Sequence, residues 1–266
     1  MCLHDISRHK GSFTAYYQTF NGRFAPESED AEHLHLKWEH SLHVLANAEG
    51  ILDGTLPKAF TPELIRAAQL AALYHDVARF EQYVAYRTFR DAESADHGAW
   101  GSKILKNLPF LEGETSRTKA LVRAAVSMHN RFGIPGAVPE AFRLVTQVVR
   151  DADKIDILRV ISGYAGPEGK RSNVVTWKLK DEPEEWTPAL YDAVLDGRLG
   201  ISFEMRYIND FLLLLCSWLH DLNFETSFAL MREQGHMDTV LAELPKGAAM
   251  DKVRLCVDRA LRRGKV

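Results

Sequence analysis

One stretch, LYHDVARFEQY at residues 73–83, limits this chain more than any other. The apolar run Leu70, Ala71, Ala72 and Leu73 leads directly into His75 and Asp76, with Arg79 and Glu81 within the next two turns. A buried imidazole beside a buried carboxylate costs several kcal/mol (order of magnitude) unless hydrogen bonds, an opposite charge or a metal ion compensates it. Any fold of this sequence must therefore supply partners for that pair.

Helical periodicity surrounds the stretch. Residues 29–52 carry apolar side chains at every third or fourth place, and Thr61 followed by Pro62 is an N-cap with proline at the first helical position, opening a helix to about Ala78. Further helices are expected over 94–107, 116–130, 139–160, 188–195, 202–220, 223–234 and 249–262, while residues 1–28 read as polar and mixed. Only NVVTWKL, at 173–179, reads as a strand. The expected class is all-α with at most a minor strand element. With no repeat and no long linker, the 266 residues read as a single domain (1–266), with a helical core over 29–162 and a helical extension or lid over 163–266.

Charge and cysteine usage exclude several classes. The balance of 33 basic and 36 acidic residues gives no global field favouring nucleic acid or anionic lipid. The beginning of the chain has no apolar signal region, and the longest apolar run, 211–219, is about half of the roughly 20 residues a spanning helix needs. Cys2, Cys216 and Cys256 are far apart and match neither a disulfide framework nor a zinc-knuckle spacing, so a reducing cytoplasm is the expected location.

Position on the helix sorts the 11 histidines. His40 lies on a line with Leu36, Val44 and Ala48, and His129 follows Val122, Ala125 and Val126, so both project from apolar faces. Asp153 has Val149 and Ile157 one turn to either side, whereas Asp151 has Gln147 behind it, which favours Asp153 as the inward carboxylate. A lone inward histidine is more often a satisfied core residue than a ligand. His75 and Asp76 change that balance, because two consecutive side chains near a helix end can lean toward one atom between them, and a metal ion is the usual such atom.

Taken together, His40 in EHSLHV, His75 and Asp76 in YHDVARFEQ, and Asp153 in RDADKID resemble the H...HD...D pattern of the HD-domain superfamily of metal-dependent phosphohydrolases, over about residues 36–160. His97 in DHGAWG and His129 in SMHNRFG stand where some members carry two further histidines. The resemblance implies an HD-type helical bundle with added C-terminal helices. It further implies one or two divalent ions: one held by His40, His75, Asp76 and Asp153 and, in the two-ion form, Asp76 bridging to a second held by His97 and His129. Residue type does not separate Mn, Fe, Ni, Co, Zn and Mg. His4, His9, His33, His35, His43, His220 and His236 match nothing in the pattern and read as surface or structural.

The implied activity is hydrolysis of a phosphate ester of a nucleotide or another small metabolite by metal-activated water, with Asp76, Arg79, Glu81 and Lys154 as candidate catalytic groups. Arg79 and Lys154 would meet phosphoryl oxygens, with Arg131 a third choice, and Glu81 would serve as acid, base or support for a ligand. Two alternatives stand beside it: a mixed-valence di-iron oxygenase built on the same ligands, and a non-catalytic metal- or nucleotide-binding module. The partner expected is a small phosphorylated substrate, with no nucleic-acid or membrane partner indicated. The apolar 211–224 segment suits a buried layer or a homodimer contact.

Overall fold

The computed structural model describes residues 4–54, 60–165 and 179–262. The chain is all-α: among the described residues there is no sheet, only an isolated bridge between Lys180 and Tyr207. The strand expected at 173–179 falls, apart from Leu179, outside the described residues. Two compact units are present, Met1–Asp153 and Lys154–Val266. No helix among the described residues is long and apolar enough to cross a membrane.

The first unit is organised around helix α3 (Pro62–Tyr74), which begins at the Thr61 cap, where the threonine side chain accepts from the Leu64 amide. Such a cap contributes about 1 kcal/mol. Residues Leu64, Ile65 and Ala67 to Tyr74 are all buried, so α3 is covered on every side. Its neighbours include α1 (Ser7–Asn21), α2 (Glu29–Asp53) and α6 (Ser116–Met128). The four alanines at 67, 68, 71 and 72 keep the helix thin, and each buried leucine or isoleucine contributes about 1.5–3 kcal/mol.

Helix α3 stops at Tyr74, four residues before the expected end at Ala78. Residues 75–78 tighten into turns, with Val77 N–H donating to Tyr74 O and Arg79 N–H to Asp76 O, before α4 (Arg79–Tyr86) begins. His75 and Asp76 thus occupy the break between two helices, where neighbouring side chains can converge as they cannot inside a regular helix. Helix α1 was also absent from the sequence expectation. Its apolar residues Phe13, Tyr17 and Phe20 recur at helical spacing, and their rings pack on Phe80, with Phe13 also edge-on to Tyr74.

Helix α5 (His97–Asn107) packs closely on α6. A Cβ at Gly98 would lie 2.6 Å from Asn130 Oδ1 and 2.9 Å from Val126 O, and one at Gly101 would lie 3.0 Å from Val126 Cγ1. Both glycines are therefore required by the approach of the two helices rather than by a turn. Helix α7 (Glu140–Ala165) carries Asp153, the last residue of the first unit.

The second unit contains α8 (Pro188–Leu195), α9 (Ile208–Ser217), α10 (Glu225–Gln234), α11 (His236–Glu243) and α12 (Ala248–Arg262). The segment expected to be one helix over 202–220 is instead a 3-10 turn, α9 and a second 3-10 turn (Trp218–Asp221). Asp210, fully buried, starts α9 by accepting from Tyr207 N–H, Arg206 N–H and Thr187 Oγ1. Leu212 to Ser217 are buried, and α9 packs on α8 and α11. Helix α11, a short element after Gly235 in the left-handed region (φ 70°), was not expected from the sequence.

Gly98→Ala is expected to destabilise the protein by about 1–3 kcal/mol, the cost of overpacking, despite the higher helix propensity of alanine. Equilibrium urea unfolding measures this, and an unchanged midpoint would contradict the close packing of α5 on α6.

Candidate metal centre

Six side chains converge inside the first unit, each supplied by the end or the inward face of a helix. His40 comes from α2, His75 and Asp76 from the turn after α3, His97 from the first position of α5, His129 from the residue after α6, and Asp153 from α7. The four histidines and Asp76 are buried to 5 % exposure or less. The groupings His40–His75–Asp76, His75–His129–Asp153 and Asp76–His97–His129 each bring their donor atoms within 4.8 Å of one another.

Asp76 divides the cluster. Its Oδ2 lies 3.7 Å from both His40 Nε2 and His75 Nε2, while its Oδ1 lies 3.3 Å from His97 Nε2 and 3.8 Å from His129 Nε2. Asp153 Oδ1 joins the first half, 3.1 Å from His40 Nε2 and 3.6 Å from His75 Nε2. Asp151 is not among the converging groups; it is Asp153 that faces His40.

The protonation of the rings is set from behind. His75 Nδ1 donates to Ala72 O at 2.8 Å and His129 Nδ1 to Val126 O at 2.7 Å, the same bond to the carbonyl three residues earlier. A carbonyl only accepts, so each Nδ1 carries a proton, and in the neutral ring each Nε2 presents a lone pair. His97 Nδ1 donates to Asp91 Oδ2 at 2.6 Å, with the same result. His97 Nε2 and His129 Nε2 then face each other at 3.0 Å as two lone pairs, beside a carboxylate oxygen. Without a cation between them that arrangement is repulsive. Donors held about 2.1 Å from one ion are separated by about 3.0–3.4 Å, so these separations fit a shared divalent ion. The donor set of imidazole and carboxylate therefore fits metal binding in both halves.

Burial pushes the His75 and His97 rings down to about 4, which keeps them neutral at physiological pH as ligands must be. Burial acts to raise the Asp76 carboxyl, but the Lys37 ammonium and the Arg79 guanidinium outweigh it and hold Asp76 well below the usual carboxylate range. Asp153 is likewise held low against its burial, chiefly by the hydrogen bond it accepts from His40.

The other expected catalytic groups are placed differently. The Arg79 guanidinium ties Asp76 Oδ1 (3.2 Å) to Asp91 Oδ1 (3.0 Å) and also donates to Gln82 Oε1 and Phe89 O. Glu81 accepts a hydrogen bond from Tyr16. Lys154 belongs to the second unit, where its Nζ meets Asp221 Oδ2 at 2.7 Å. Arg131 pairs with Asp96 at 3.0 Å.

Sequence reasoning missed two neighbours of the cluster. Lys37 Nζ lies 2.8 Å from Asp76 Oδ2 with Phe89 beneath it, and its position one turn before His40 was the available signal. Asp91, which fixes His97 and is held by Arg79, Gln82 and Asn130, sits in a 3-10 turn with no periodic signal.

The fold and the cluster together define a helical protein with a buried histidine–carboxylate centre suited to divalent metal. Residues 38–158 match the HD domain family model, in agreement with the resemblance carried by His40, His75, Asp76 and Asp153. No curated protein and no solved structure matched the chain in the two other comparisons.

The sign of the pH dependence follows from the two rings. An unfolded histidine titrates near 6.5 and these titrate near 4, so between those values the unfolded chain binds more protons. Their contribution is complete above about pH 6.5 and is lost as pH falls toward about 4. The melting temperature of chelator-treated protein is expected to fall across that window, and less steeply in a His75→Gln, His97→Gln double variant. Equal slopes in the two proteins would contradict the assignment.

Proposed function

We propose that the chain is a metal-dependent phosphohydrolase that cleaves a phosphate ester of a nucleotide or another small metabolite. The observation that carries the proposal is the division of the cluster by Asp76, whose two carboxylate oxygens each face a pair of histidine Nε2 atoms. In this reading one ion is held by His40, His75, Asp76 and Asp153, and a second by Asp76, His97 and His129. Divalent ions in such a site lower the pKa of a coordinated water to about 7 and polarise a phosphoryl oxygen.

The protein's own contribution is orientation and charge. Backbone carbonyls and Asp91 fix the rings of His75, His129 and His97, so little reorganisation is left for the reaction itself. Arg79 is committed to Asp76 and Asp91, which makes it a brace for the centre. Lys37 takes the phosphate-binding role in this reading. Its side chain is 18 % exposed, its ammonium lies on the carboxylate at the middle of the cluster, and its flexible stem lets it turn to an incoming phosphoryl oxygen.

The test is a phosphate-release screen over nucleotides and sugar phosphates with added Mn, Ni, Co or Mg. Asp76→Ala is expected to lose metal and phosphate release together. Lys37→Met is expected to retain metal and lower kcat/KM by about 10²-fold, the order found for removing one donor to a developing anion. Full activity in Asp76→Ala would overturn the proposal, as would two tightly held irons with O₂-dependent turnover and no phosphate release.

A further inference from the structure

We infer that Arg150 is a positioning residue for His129, and that through it α7 sets the spacing of the two halves of the centre. The inference rests on the two-ion reading above. Arg150 is 4 % exposed, so its guanidinium is a buried charge that must be spent on acceptors. Its Nη1 donates to His129 O at 3.0 Å and to Arg131 O, and its Nη2 donates to Phe132 O at 3.3 Å.

Those acceptors lie where α6 ends. His129 O stands at the end of α6, where a helix leaves its carbonyls without partners, Arg131 O and Phe132 O follow just beyond, and a planar guanidinium with five donors in a fixed fork gathers all three. His129 is the first residue after α6, and its ring is fixed by Nδ1 on Val126 O. The backbone at 126–132 therefore sets where Nε2 points, with the Val126 carbonyl gripping the ring and Arg150 gripping the chain just beyond it.

Arg150 is also three residues before Asp153 on the same helix. Asp153 faces His40 and His75, while Arg150 holds the backbone that carries His129. One rigid turn of α7 thus fixes a ligand of one half directly and a ligand of the other half indirectly. Metal sites need their ligands held to about 0.5 Å, so slack at the end of α6 would be felt first in the His97–His129 half.

The test is a calorimetric titration of chelator-treated protein with Mn²⁺, wild type against Arg150→Gln, with His129→Ala for comparison and circular dichroism to establish folding. Wild type is expected to bind two ions. Arg150→Gln is expected to lose about 10–100-fold in affinity for one of them, the loss typical of removing a group that supports a ligand, with the other changed less than about threefold. His129→Ala should weaken the same ion, and Arg150→Lys should recover part of the loss. If Arg150→Gln does not fold, Arg150→Lys carries the same comparison. Two ions at wild-type affinity in the variant, or equal loss of both, would overturn the positioning role while leaving the two-ion reading in place. Fewer than two ions in wild type would overturn that reading and this inference with it.

Discussion

The structure of the first unit depends on a buried carboxylate. Asp76 sits where α3 gives way to α4, almost without exposure, and must be compensated there. Lys37 and Arg79 supply two positive charges at 2.8 and 3.2 Å, and four histidines stand around its oxygens. Breaking such a buried charge arrangement by removing one partner typically costs about 3–5 kcal/mol. Much of the polar chemistry nearby can be read as support for this group. Arg79 reaches Asp91, Asp91 reaches His97 and Asn130, and Gln82 closes the loop that carries them.

Packing places the six side chains of the cluster as much as hydrogen bonding does. Two glycines let α5 lie against α6 closely enough to bring His97 Nε2 within 3.0 Å of His129 Nε2. The thin, largely buried α3 lets α2 and α6 approach it on different sides, so His40 and His129 both reach the end that carries His75. The ring of His75 lies edge-on to both, with centroids 5.1 Å away in each case. Interiors packed this tightly pass small displacements on to their neighbours, which makes distant supports such as Arg150 consequential.

The sequence carried the all-helical class and the helices bearing the centre, because apolar periodicity and the Thr61–Pro62 start are local signals. His40 and His129 stood out as histidines on otherwise apolar helix faces, and the structure brings them together with His75, Asp76, His97 and Asp153. Groups that act through turns were not legible. Asp91 lies in a short 3-10 turn, and Arg150 caps a helix it does not belong to, so neither leaves a periodic trace. The ion pairs of Arg79 and Lys154 were not legible either, because nearness to a cluster residue in sequence does not say which carboxylate a cation meets. Here Asp91 and Asp221 pair with them. Helix α1 went unread because its buried face is three aromatics in a polar stretch, a stripe that gains meaning only against Phe80 and Tyr74.

The central claim is that Asp76 is shared between two cation sites. Anomalous diffraction from crystals grown with Mn²⁺ tests it most directly. Two peaks are expected, one among His40, His75 and Asp153 and one between His97 and His129, with Asp76 contributing one oxygen to each. No peak within the cluster, or a single ion with Asp76 turned toward Lys37 alone, would contradict it.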